Sequence, residues 1–60
     1  MDRDKLKLLG EQCRNWRLEC GYTQQQIADA LNVSPETISA YEHGRTNNAL
    51  ILLWYIEHGF

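Results

Sequence analysis

The chain predicts an all-α domain, a compact bundle of four helices, or five if the amino-terminal segment breaks. Three observations carry this. Apolar residues recur at helical spacing, side-chain capping signals stand at Thr23 and Ser34, and Gly21, Asn32, Gly44 and Gly59 fall where such helices would stop. Residues 1–60 are expected to form one domain. A chain this short buries only about 60 % of the surface its unfolded form exposes, so help from a partner chain is expected.

The first helix is read from Leu6, Leu9, Cys13, Trp16 and Cys20, whose 3-4-3-4 spacing lays a stripe down one side. Asp4 is the expected N-cap and Gly21 the stop. The second helix begins at Gln24, because Thr23 can cap its free amides and Gln26 completes the reciprocal box. Ile27, Ala28 and Leu31 share its inner face, with Gln25, Asp29 and Asn32 elsewhere on the cylinder. Asn32, Val33 and Ser34 then make a three-residue turn: Asn32 tolerates a left-handed conformation, Val33 can pack inward, and Ser34 is a second N-cap. Pro35 opens the third helix, where its missing N–H costs nothing. That helix should run from about Pro35 to Glu42 with Ile38 and Tyr41 facing in, and Gly44 ends it.

The last segment, NALILLWYIEHGF, holds more apolar surface than one small core can absorb. Leu50, Leu53, Trp54 and Ile56 are expected to close the domain, with Phe60 folding back after Gly59. Ile51, Leu52 and Tyr55 remain as a second apolar face. They either pair with a twin or pack on Leu8 and Leu18 of the same chain.

The pattern T-Q-x-x-I-A-x-x-L-x-V-S-x-x-T-I-S-x-Y-E-x-G-R from Thr23 to Arg45 resembles the Cro/cI-type (XRE) helix-turn-helix family of phage and bacterial repressors. The resemblance extends to Leu9, Arg14, Trp16 and Arg17 in the first helix and to Leu50, Leu53 and Ile56 in the fourth, covering about positions 6 to 60. It implies a lambda-repressor-like fold in which Gln24–Leu31 is the positioning helix and Pro35–Glu42 the recognition helix in the major groove. It also implies a structural ion pair between Arg17 and Glu42, and a backbone-contacting loop at Arg45, Thr46, Asn47 and Asn48. Here the chain departs from the family, because Asn47 and Asn48 stand where basic residues are common.

Base readout is expected from the outward face of the third helix, Ser34, Pro35, Glu36, Thr37, Ser39 and Ala40, with Gln24 and Gln25 reaching adenine or the backbone. Pro35 and Ala40 offer only van der Waals contact, and Ser39 and Thr37 discriminate poorly. Glu36 either accepts from a cytosine amino group or simply favours the positive end of its helix. Phosphates are expected at the two helix starts, Thr23, Gln24 and Ser34, through amide hydrogens and the helix dipole, and at His43, Arg45, Thr46, Asn47 and Asn48.

Net charge is −2 with a pI near 5.5, whereas nucleic-acid binders are usually basic. Residues 1 to 20 hold Arg3, Lys5, Lys7, Arg14 and Arg17 against Asp2, Asp4, Glu11 and Glu19. Residues 21 to 60 hold only Arg45 against Asp29, Glu36, Glu42 and Glu57. A weak, modestly salt-dependent affinity is therefore expected, with two or three phosphates per subunit.

Other chemistries fit poorly. Cys13 and Cys20 lie about 10 Å apart along one helix by its rise, too far for a disulfide, and are read as buried or half-buried thiols. With His43 and His58 they lack zinc-site spacing, and no glycine-rich phosphate loop is present. His43 beside Glu42 points elsewhere on the helix and is read as a loop residue near DNA; His58 is a favourable charge at the last helix end when protonated. No catalytic residue, cofactor, metal or small-molecule ligand is expected. No apolar run approaches the roughly 18 residues of a membrane helix, and a cytoplasmic setting follows.

The expected function is a sequence-specific DNA-binding regulator, a Cro/cI-like repressor acting as a dimer on a palindromic operator. The alternative is a protein-interaction module that keeps the fold without binding DNA, which the acidic second half and sparse recognition face favour.

Overall fold

Four helices, each stopped by the same hydrogen-bond pattern, make up the described residues, 3–60, of the computed structural model: α1 (Arg3–Cys20), α2 (Gln24–Leu31), α3 (Pro35–Glu42) and α4 (Ala49–Glu57). Asp2, counted above among the acidic residues, lies outside them. No described helix is long and apolar enough to cross a membrane.

At every helix end the two residues after the last turn bond back to carbonyls of that turn, closing a Schellman motif. The pairs are Gly21 N to Leu18 O and Tyr22 N to Arg17 O, Asn32 N to Asp29 O and Val33 N to Ala28 O, Gly44 N to Tyr41 O and Arg45 N to Ala40 O, and Gly59 N to Ile56 O and Phe60 N to Tyr55 O. Each motif needs one left-handed residue. Asn32 supplies it at φ 57° without being glycine, which its short amide side chain tolerates. The helix starts are equally local: Thr23 and Gln26 exchange both bonds of a capping box, and Ser34 Oγ accepts from Thr37 N ahead of Pro35.

Two glycines set how closely α1 approaches the rest. A Cβ on Gly10 would stand 2.5 Å from the Tyr41 carbonyl oxygen and 2.6 Å from that of Glu42, so α1 crosses the end of α3 at backbone contact. Gly44, at φ +72°, would place a Cβ 2.7 Å from Lys7 Cα. Only a residue without a side chain lets this loop lie on α1.

The core comprises Cys13, Ile27, Ala28, Ile38, Tyr41, Ile51, Trp54 and Tyr55, with Leu9, Trp16, Tyr22, Leu31, Val33 and Leu52 half-buried around it. Aromatic contacts fasten the carboxyl-terminal segment. Trp16 meets Tyr22, Tyr55 and Phe60 at centroid distances of 5.8, 5.8 and 6.3 Å, and His58 stacks on Trp54 at 3.8 Å. Burial raises the Cys13 thiol to about 11 and the Tyr41 hydroxyl to about 12, each with the other as its polar neighbour.

Three sequence expectations require correction. Asp4 lies inside the first turn of α1, not at its cap, because the helix already includes Arg3. The inner face of α1 is centred on Gly10, Cys13 and Arg17 rather than on a stripe ending at Cys20, which is exposed. On α4 the two faces are exchanged: Ile51 and Tyr55 are fully buried and Leu52 half-buried, whereas Leu50, Leu53 and Ile56 are 66, 48 and 53 % exposed. The face assigned to a twin, Ile51, Leu52 and Tyr55, is therefore core. Nor does it rest on Leu8 and Leu18, which are themselves exposed. Because α4 is apolar on every side, spacing selects no face; burial follows the side that carries Trp54 and the Tyr55 hydroxyl.

That hydroxyl reaches the one buried carboxylate among the described residues. Glu42, its side chain wholly buried, accepts from Arg17 Nε at 2.7 Å and Tyr55 Oη at 2.5 Å on one oxygen, and from Arg17 Nη2 and Gln24 Nε2, each at 3.1 Å, on the other. Arg17 Nη1 also donates to the Tyr22 carbonyl at 3.0 Å. The planar guanidinium meets the carboxylate with two parallel bonds, a geometry lysine cannot reproduce. Burial alone would raise the Glu42 carboxyl, but the donors from Arg17, Tyr55 and Gln24 outweigh it and hold the group below its ordinary value. Burial and the adjacent carboxylate together hold the Tyr55 hydroxyl protonated far above the usual tyrosine range.

Arg17→Ala strands that carboxylate and is expected to destabilise the domain by roughly 3 kcal/mol in urea denaturation. Unchanged melting would reject this. A carboxylate depressed in the folded state contributes stability that is present above its unfolded value of 4.5 and lost as pH falls through the folded one. Melting temperature should therefore drop on acidification below about pH 4.5, and Glu42→Gln, less stable at pH 7, should show a shallower acid limb.

Candidate nucleic-acid interface

α3 is held from behind and bare in front. Ile38, Tyr41 and Glu42 are buried beneath it, whereas Ser34 and Glu36 are exposed and Pro35, Thr37, Ser39 and Ala40 half-buried on the outer side. Several outward polar groups already have internal partners. The Ser34 and Thr37 hydroxyls lie 3.0 Å apart, and the Ser39 hydroxyl is 3.4 Å from His43 Nδ1. His43 Nδ1 donates to the Ser39 carbonyl at 2.8 Å, which orients the ring and leaves Nε2 for an outside partner.

The start of α2 divides the two glutamines assigned to DNA. Gln25 is exposed, with its amide donating to Asp29 Oδ1 at 2.7 Å. Gln24 is half-buried and its amide is turned onto Glu42, so its side chain reaches outward only by leaving the carboxylate. This role was invisible in the sequence, because Gln24 and Glu42 stand eighteen positions apart. Thr23 is exposed but its hydroxyl is occupied as a cap, leaving backbone amides as the donors at this helix start.

In the loop after α3, His43, Arg45 and Asn47 are exposed and Thr46 half-buried. Asn48, assigned to phosphate, also serves as the N-cap of α4, its side-chain oxygen accepting from Leu50 N at 3.0 Å. The loop lies against the first turns of α1. Between them opens a cleft of about 640 Å³ lined by Arg3, Leu6, Lys7, His43, Gly44 and Arg45. A second groove shares Lys7 and His43 with it and continues past Glu11, Arg14, Arg17, Gln24 and Glu42.

Arg3, Lys7 and Arg14 had no place in the interface as read from the sequence, where they are simply part of the first helix. A signal was nevertheless present. Positions 3, 7, 10, 14 and 17 follow the 4-3-4-3 rhythm of one helix side and read Arg, Lys, Gly, Arg, Arg. The glycine in that series marks the close crossing that brings those cations to the loop.

The family model described as helix-turn-helix matches residues 14–53, which includes the end of α1, all of α2 and α3, and the first half of α4. Comparison with curated proteins and with solved structures gave no match. The capped helix pair joined by Asn32–Ser34, the buried Ile27, Ala28 and Ile38 beneath it, and the matched span together place the chain in the Cro/cI-type (XRE) helix-turn-helix family, whose domains are DNA-binding regulators.

Proposed function

We infer that the chain is a sequence-specific DNA-binding transcriptional regulator, a Cro/cI-like repressor that lays α3 in the major groove and occupies a palindromic operator as a homodimer in the cytoplasm. One observation carries the reading: α3 is a preformed helix, anchored on its inner side by Ile38, Tyr41 and the Glu42 network, with an outer side that contributes no residue to the core. Ordering is complete before DNA arrives, so little affinity is lost to it. Pro35 and Ala40 meet thymine methyl groups, Thr37 and Ser39 serve permissively, and Glu36 either accepts from cytosine or complements its helix dipole. Gln25 supplies an amide to adenine or the backbone. Amides at the starts of α2 and α3, beside Thr23, Gln24 and Ser34, and the loop residues His43, Arg45, Thr46 and Asn47 hold phosphates.

The dimer uses the exposed side of α4, Leu50, Leu53 and Ile56, in place of the buried residues first assigned to it. The partner is a second copy. An aliphatic surface can pair with its own copy about a two-fold axis, which brings the same side chains together.

Selection from random duplexes should enrich a palindrome whose half-sites lie one helical turn, about 34 Å, apart. If no half-site is enriched, the DNA reading fails and a protein-interaction role takes its place. Sedimentation should show a dimer that Leu53→Asp converts to a monomer. A monomeric parent at high micromolar concentration would overturn the dimer.

A further inference from the structure

We propose that the cleft between the first turns of α1 and the α3–α4 loop, lined by Arg3, Lys7, His43 and Arg45, binds a phosphate of the DNA backbone. This extends the footprint beyond the helix-turn-helix pair, and the inference rests on the DNA-binding reading above. Three of the chain's six Lys and Arg residues line this one cleft, with His43 beside them and no acidic residue in the lining. In a chain of net charge −2 such a concentration stands out against the rest of the surface. The arrangement is also built into the fold. Gly44 presses on the backbone of Lys7 as closely as a residue without Cβ permits, which brings α1 cations beside a loop that follows α3 directly. Arg3 and Lys7 lie outside the matched residues 14–53.

The direction of the charge supports a polymer over a small anion. Lys7 and His43 border both the cleft and the neighbouring groove, so cations run from Arg45 and Arg3 through Lys7 to Arg14 and end beside Gln24 at the start of α2. In that groove Glu42 is neutralised by Arg17, leaving Glu11 as the opposing charge. A strip joining the end of the recognition helix to the start of the positioning helix can track consecutive phosphates of one strand. A single phosphate monoester would occupy only one end of it.

The test measures affinity for the duplex selected by the parent, at 50 to 200 mM salt, for the parent and for the double variant Arg3→Ala/Lys7→Ala, with thermal melting to show that both are folded. The expected result is a shallower dependence of log affinity on log salt, by about 0.9 for each phosphate contact removed, with the preference for selected over scrambled duplex unchanged. An unchanged slope in a folded variant overturns the inference and leaves the DNA reading intact. A parent that binds no duplex overturns both. In a second arm, inorganic phosphate is titrated into the parent while the amide shifts of Lys7, Gly44 and Arg45 are followed. Saturation by phosphate at micromolar concentration that duplex does not displace assigns the cleft to a small anion and overturns the proposal. Weak phosphate binding displaced by duplex supports it.

Discussion

A single buried carboxylate ties the four helices together. Glu42, from α3, takes its donors from Arg17 of α1, Gln24 of α2 and Tyr55 of α4, and Arg17 extends the network to the Tyr22 carbonyl in the α1–α2 loop. A charge in this position is tolerable only because each oxygen receives two donors, one of them cationic. The network therefore demands a specific relative placement of all four elements. Apolar contacts alone, being non-directional, would leave rotation and translation of these short helices less well defined.

The working surface follows from that demand. α3 is only eight residues long and would be marginal as an isolated helix, so its order comes from Ile38 and Tyr41 packed beneath it and from Glu42 pinned at its last turn. Gly10 lets α1 pass at backbone contact behind the same turn. The loop that follows is drawn onto α1 through Gly44, and the basic cleft is the outcome. One set of close approaches thus orients α3 and gathers cations that are scattered along the chain.

The boundaries of α2 and α3 could be read from the chain because their causes are local. Thr23 with Gln26, Ser34 with Pro35, and the left-handed Asn32 and Gly44 act within a few residues of themselves, and the structure shows each in that place. Ile38 and Tyr41 were assignable to the inner side of α3 by spacing. The outward list was assignable as a set, but the engagements within it were not. Gln24 turned to a carboxylate in another helix, and Asn48 was taken up as a cap. The pairing of Arg17 with Glu42 came from the family resemblance, since nothing in the spacing of two residues twenty-five positions apart brings them together.

Residues acting on their near neighbours suffice to specify α2 and α3, the ends of both and the short turn between them, because capping and left-handed tolerance are properties of a few consecutive positions. The choice of face is different in kind. On α4 every side is apolar, so burial was settled by where Tyr55 could donate to Glu42 and where Trp54 could join the aromatic cluster, leaving Leu50, Leu53 and Ile56 outside. The meeting of Arg3 and Lys7 with Arg45 was likewise settled by packing: it depends on how closely two backbones pass at Gly10 and Gly44, a distance that no local pattern encodes.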